Sequence, residues 1–280
     1  MQWIYGLIDT ILPFQWTQYA FMKNAIIAVM LVTPLFGILG TMVINNRMAF
    51  FSDSLGHGAY TGIAIGVLAG LANPLWCATA FSVAFAIIIT LVKNKSRAST
   101  DTIIGVFSST AVALGLVLMS MGGNFSKYSS YLIGDLLSIT PSEILMLLIV
   151  FGAIIILWYF LFNKLLLVSI NSSLASSRGI NVLLVETIFT SAIAAVVTVS
   201  IQWVGLLIIN SMLVLPASAA RNISSNARQY HLYSVVIALF SGISGLILSY
   251  YMNTAAGATI VLISAVVFFA TLGLKNLVRD

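Results

Sequence analysis

Apolar residues in this chain neither alternate nor trace one helical stripe; they continue in stretches of about twenty, broken by short polar interludes. Such a stretch crosses a bilayer as a helix, because hydrocarbon offers no partner to an unpaired backbone N–H or C=O. The pattern predicts spans at about 21–44, 50–71, 74–93, 101–121, 142–166, 182–200, 204–220, 231–250 and 255–275. Two are weaker: 50–71 is rich in glycine and polar groups, and 204–220 is short and ends at Pro216. The expected fold class is all-α, a polytopic membrane protein of eight or nine transmembrane helices forming a single transmembrane domain over 21–280. Residues 1–20 read differently. They lack the basic start and cleavage site of a signal peptide, and Trp3, Tyr5, Trp16 and Tyr19 around Pro13 suit the headgroup layer, so a retained interfacial segment is expected.

Composition agrees with the pattern. Hydrophobic residues make up 60% and charged residues 7%, against roughly a quarter charged in a soluble domain. The single cysteine, Cys77, excludes an internal disulfide and any multi-thiolate metal site. The basic residues then orient the spans. Lys93, Lys95 and Arg97 mark one short loop, Lys164 and Arg178 a second, Arg221 and Arg228 a third, and Lys275 and Arg279 the C-terminal end. Basic loops stay in the cytoplasm, and these four alternate correctly if 122–141, 201–203 and 251–254 face outward. The expected placement is a cell membrane, with the C-terminus cytoplasmic and the N-terminus outside. The net charge of +5 follows from this topology and does not argue for nucleic-acid binding.

Two ionisable residues fall inside a predicted span. Asp53 and His57 are four residues apart, one helical turn, so both project from one face. An ionisable group in hydrocarbon is costly and usually faces a bundle interior or a water path. Counted from Arg47, the pair lies ~9–15 Å into the membrane at ~1.5 Å per residue. Carboxylate and imidazole suit divalent manganese, iron or zinc. Two ligands are few for a tight site, and a symmetric dimer would present four. A second reading stays open, in which His57 hydrogen-bonds Asp53 or a carbonyl and serves helix packing. Gly58, Gly62, Gly66 and Gly70 recur every fourth residue beside the pair, a face on which another helix can approach closely. Elsewhere, His231 reads as interfacial, Asp101 and Glu186 as acids near helix starts, and Asp9, Glu143 and Asp280 as solvated.

Absences narrow the mechanism. The chain contains no HExxH, GxSxG or CxxC, so the familiar hydrolase and thiol-redox constellations are missing and an enzyme is not expected. It also lacks GxxxxGK[ST], so ATP-driven transport would need a separate ATPase. The polar stretch 168–181 is either a short surface helix around Ala175 to Arg178 closed by Gly179, or an ordinary loop. In the outer segment 122–141, Tyr128, Tyr131, Gly134 and Asp135 would form a partial helix that caps the bundle or docks a partner.

Four stretches carry a family resemblance. Arg47 followed by MAFFSDSLGHGAYTGIAIG (48–66) resembles R-x-x-[FY]-x-x-[DS]-[AS]-L-[AGS]-H-[AGS] of the permease subunits of zinc, manganese and iron ATP-binding-cassette importers. YLIGDLLSIT (131–140) is similar to that family's YLFGDIL, and GLLIINSMLVLPASAARNIS (205–224) to its GLLLINALLVLPAA segment. The segment ending at Asn181 is similar to its coupling helix, F-D-x-x-x-A-x-x-x-G, with Ile170-Asn171 in place of Phe-Asp.

The resemblance implies a homodimeric permease that takes a divalent transition metal from an extracytoplasmic metal-binding protein, with two cytoplasmic ATPase subunits acting on the coupling segment at about 170–181. It implies that Asp53 and His57 line the metal path, and that Ser172, Ser173, Ala175, Arg178, Gly179 and Asn181 serve ATPase coupling. No permanently bound cofactor is expected; the metal (Mn, Zn or Fe) is cargo. Protons compete with metal for imidazole, so capture should weaken with acidity. An ion-coupled secondary carrier and a siderophore or cobalamin permease remain the rival classes.

Overall fold

The structure, a computed structural model, describes residues 5–6, 15–71, 73–122, 134 and 136–279. Among them are ten α-helices: α1 (Ala20–Asn45), α2 (Phe51–Leu68), α3 (Pro74–Lys95), α4 (Thr100–Gly122), α5 (Pro141–Ile170), α6 (Ser172–Ser177), α7 (Val182–Val204), α8 (Leu206–Ile223), α9 (Ala227–Met252) and α10 (Ala256–Arg279). Every predicted span corresponds to one of the nine long helices, and the segment left open as helix or loop contains α6. Seven of the long helices are apolar enough to cross a membrane. α2 is not among them, because Ser52, Asp53, Ser54, His57 and Thr61 lie along it. Trp3 and Pro13 of the expected interfacial segment, and Tyr128, Tyr131 and Asp135 of the outer segment, fall outside the described residues.

Helix ends follow local chemistry. Asn73, Asn171, Asn181 and Asn226 each cap a helix by accepting a backbone N–H in the first turn. Glu143, expected as a solvated acid, reaches back and accepts both the Thr140 N–H and the Thr140 hydroxyl at 2.7 Å, which closes the start of α5. α5 has the highest mean hydropathy of the seven apolar helices, 2.9. Along it Ile149, Ile156, Tyr159 and Phe160 stand exposed, as lipid-facing side chains do.

The chain divides into two compact units. One comprises residues 1–41, 134–152 and 211–280. Small residues set its helix contacts: a Cβ on Gly40 would lie 2.0 Å from the Leu213 carbonyl oxygen, and one on Gly245 would lie 2.5 Å from the Ile260 Cα. The Ser234 hydroxyl donates to the Gly37 carbonyl at 2.7 Å where α9 meets α1. Ala219, Ala220, Tyr230 and Ile237 form a buried cluster below these contacts.

The other unit comprises 42–133 and 153–210, and in it α2 packs against α3, α4 and α7. Gly58 meets the Phe85 ring, Gly62 the Ala78 backbone, and Gly66 the Pro74 and Cys77 side of α3. Gly70 departs from its expected packing role. It follows the end of α2 at φ +68, with nothing within 4 Å of a notional Cβ, and its N–H donates to the Val67 carbonyl at 3.0 Å. The four-residue period simply continues past the helix, and its last member terminates α2 in the left-handed conformation that glycine adopts freely. Glu186 also differs from its expected role. It lies beyond the first turn of α7 and accepts from Lys93 Nζ at 3.0 Å and Asn94 Nδ2 at 2.8 Å, which ties α7 to α3 one turn from the buried Thr90–Thr190 bond of 2.9 Å.

Candidate functional site

Thirteen of the eighteen residues of α2 are buried. In its first three turns only Asp53 and His57 are not, with side chains 34% and 26% exposed. Polar groups are thus placed where an otherwise covered helix opens. Asp53 lies in the first turn of α2, where a carboxylate is favoured by the helix dipole. No side chain caps that end of the helix at Phe50, and the chain enters it from Arg47 at φ 54.

The two side chains converge. His57 Nε2 and Asp53 Oδ2 are 3.5 Å apart, too far for a full hydrogen bond. Donors about 2.1 Å from one shared ion, at the tetrahedral angle, stand about 3.4 Å apart. The spacing is compatible both with an ion pair and with two neighbouring ligands of one metal ion. Among the described residues no group of three or more His, Cys, Asp and Glu is gathered anywhere.

Two cross-helix hydrogen bonds bracket the pair. Before it, the Ser52 hydroxyl donates to Asn210 Oδ1 of α8 at 2.6 Å. After it, Thr61 Oγ1 donates to the Ala111 carbonyl of α4 at 2.6 Å, where Gly115 lets Thr61 approach. Neither tether was visible as a sequence motif. Ser52 and Asn210 are separated by 158 residues, and the only available signal was an amide lying shortly before Pro216 in a predicted span.

Residues 18–275 match the model of the ABC 3 transport family. This chain belongs to that family. It is 32% identical over 246 residues, 86% of its length and 93% of the relative's, to the high-affinity zinc uptake system membrane protein ZnuB of Buchnera aphidicola subsp. Baizongia pistaciae. It is 29% identical over 252 residues, 90% of each chain, to the manganese transport system membrane protein MntC of Listeria monocytogenes. Among solved structures it resembles PsaBC from Streptococcus pneumoniae in complex with Fab, with a TM-score of 0.80 and 27% identity over 97% of this chain and 95% of that one. It is a multi-pass membrane protein.

The expected coupling segment is fully ordered by local bonds in this ABC 3 family chain. Asn171 Oδ1 accepts from the Leu174 N–H at 3.1 Å and starts α6, and Asn181 Oδ1 accepts from the Leu184 N–H at 3.0 Å and starts α7. An aspartate, the residue usual in the resembled pattern, caps in the same way, so Asn171 retains the cap and removes the charge. Ala175 is wholly buried, and Gly179 stands at φ +76 with the Ile180 N–H reaching back to the Ala175 carbonyl at 3.1 Å. The pattern's small residue and its glycine therefore have physical causes: no room for a larger side chain, and a left-handed turn. Ser172, Ser173, Ser176, Ser177 and Arg178 face outward, and Ile170 and Leu174 are exposed beside them at 72% and 44%. His231 has its Nδ1 2.6 Å from the Ala227 carbonyl oxygen.

Proposed function

We propose that this chain is the membrane-spanning permease subunit of an ATP-driven importer of a divalent transition metal, manganese, zinc or iron. The spacing of Asp53 and His57 in the open part of α2 carries the reading. Zinc and manganese systems among the relatives support the cargo class. In the working assembly two identical permease chains face each other, so that two Asp-x-x-x-His turns supply four ligands to an ion in transit. Two ligands per chain also suit release, since a transported ion must be held weakly enough to leave.

Energy comes from two separate ATPase subunits on the cytoplasmic side. They bear on α6 and its flanks, where the exposed Leu174 and Ile170 offer an apolar contact, and Ser172, Ser173, Ala175, Arg178, Gly179 and Asn181 hold its shape. An extracytoplasmic binding protein delivers the metal to the opposite face. ATP-driven closure of the ATPases alternates the path between outward and inward openings. The C-terminus is then cytoplasmic, and residues 1–20 lie at the interface of a single transmembrane domain.

The test is metal uptake by proteoliposomes containing the permease, its ATPase and its binding protein, challenged with manganese, zinc and ferrous iron. Uptake of at least one ion should require both ATP and the ATPase. Uptake driven by a proton or sodium gradient without the ATPase would make the chain a secondary carrier, and uptake of only a chelated metal would make it a chelate permease. Acid should oppose capture, because an imidazole that binds a proton no longer binds metal. Lowering the outside pH from about 7.5 to about 5.5 should reduce uptake severalfold. With binding-protein loading held constant, a flat profile would remove His57 from the path.

A further inference from the structure

We infer that Asn210 is a positioning residue for the Asp53–His57 pair, acting through Ser52; this rests on the pair's being the metal site. Ser52 is 1% exposed and its hydroxyl donates to Asn210 Oδ1 at 2.6 Å. It is also the residue directly before Asp53, in the first turn of a helix that no side chain caps at that end. The turn that carries the carboxylate is thus held in rotation by a bond from α8, while Thr61 holds the turn beyond His57 from α4. Such clamping matters for ligand geometry. A rotation of α2 by about 10° would move a carboxylate about 6 Å from the helix axis by about 1 Å, twice the tolerance of about 0.5 Å that a binding constellation allows.

α8 is suited to transmit such a rotation. Gly205 separates it from α7 at φ 81, ψ 154, a conformation open to glycine, and Pro216 lies inside it further on, where it supplies no backbone N–H. Asn210 lies between the two. A shift of that short stretch changes the position of Asp53 through one hydrogen bond, while the glycine face of α2 keeps its contact with α3.

The experiment measures equilibrium binding of Mn2+, and separately of Zn2+, to the purified permease assembled with its ATPase subunits. Melting temperature is recorded in parallel. The variants are Asn210→Ala, Ser52→Ala, the double variant, and the exchanged pair Ser52→Asn with Asn210→Ser. Each single variant should weaken metal binding about fivefold or more, the worth of one hydrogen bond, with little change in melting temperature. The double variant should be no weaker than either single, because one bond is lost in all three. The exchanged pair should recover at least half of the loss. Unchanged affinity in Asn210→Ala, additive losses, or losses that track a falling melting temperature would reduce the bond to ordinary helix packing. Asp53→Ala separates the two levels: if it binds metal like the parent, the site itself is wrong and the inference falls with it. If it loses metal while Asn210→Ala does not, only the positioning role fails.

Discussion

Asp53→Ala and His57→Ala should each lower metal uptake in the reconstituted transporter by about a hundredfold or more, with the protein still folded and inserted. Loss of a residue that merely orients a ligand commonly costs 10–100-fold, so loss of a ligand sets that range as its floor. The expectation is specific to chemistry and not to packing. Both side chains are partly open, at 34% and 26% exposure, so truncating them leaves no large cavity. Conservative changes refine the result. Asp53→Glu keeps the donor but displaces it by a methylene, which should retain some uptake, whereas Asp53→Asn keeps shape and loses charge and should retain less. Uptake counted per ATP hydrolysed separates loss of the site from loss of the motor. If both alanine variants transported at the parental rate, the metal path would have to be sought elsewhere.

The second large effect concerns assembly. Gly62→Leu should greatly reduce the yield of folded protein, and Gly62→Ala should destabilise it by about 1–3 kcal/mol, the usual cost of overpacking. A Cβ there would lie 2.6 Å from the Ala78 Cα and 2.9 Å from the Phe81 Cβ. The first of these is backbone and can yield only if α2 and α3 separate. Gly105→Ala is the matched control: with nothing within 4 Å of its Cβ, alanine inside a helix should be neutral or stabilising by up to about 1 kcal/mol. Gly70→Ala should cost about 1–2 kcal/mol through its left-handed conformation alone. Thermal unfolding of the three purified variants in one detergent gives the ranking, and equal stability of Gly62→Ala and Gly105→Ala would refute the close α2–α3 contact.

The glycine series also illustrates how far a linear pattern reaches. A period of four placed Gly58, Gly62 and Gly66 on one face, since spacing along a helix is a local property. The same period included Gly70, because nothing in the pattern marks where α2 stops. Glu186 was read from its closeness to a helix start, and its actual partners, Lys93 and Asn94, lie more than ninety residues earlier. Asn171 read as a departure from a motif, and only the geometry of α6 revealed that it supplies the same cap.

What the sequence determined by itself was local or cumulative: the lengths of the apolar runs, the single turn that sets Asp53 beside His57, and the family. Each depends on residues within a few positions or on a sum over a span, and helix geometry converts both directly into structure. The tertiary structure alone decided that the pair faces the opening in α2, that its donors stand 3.5 Å apart, and that Ser52 finds Asn210. Those facts depend on which helices become neighbours. In a membrane that choice is made by small-residue contacts, whose partners a period does not name, and by a few hydrogen bonds between distant segments.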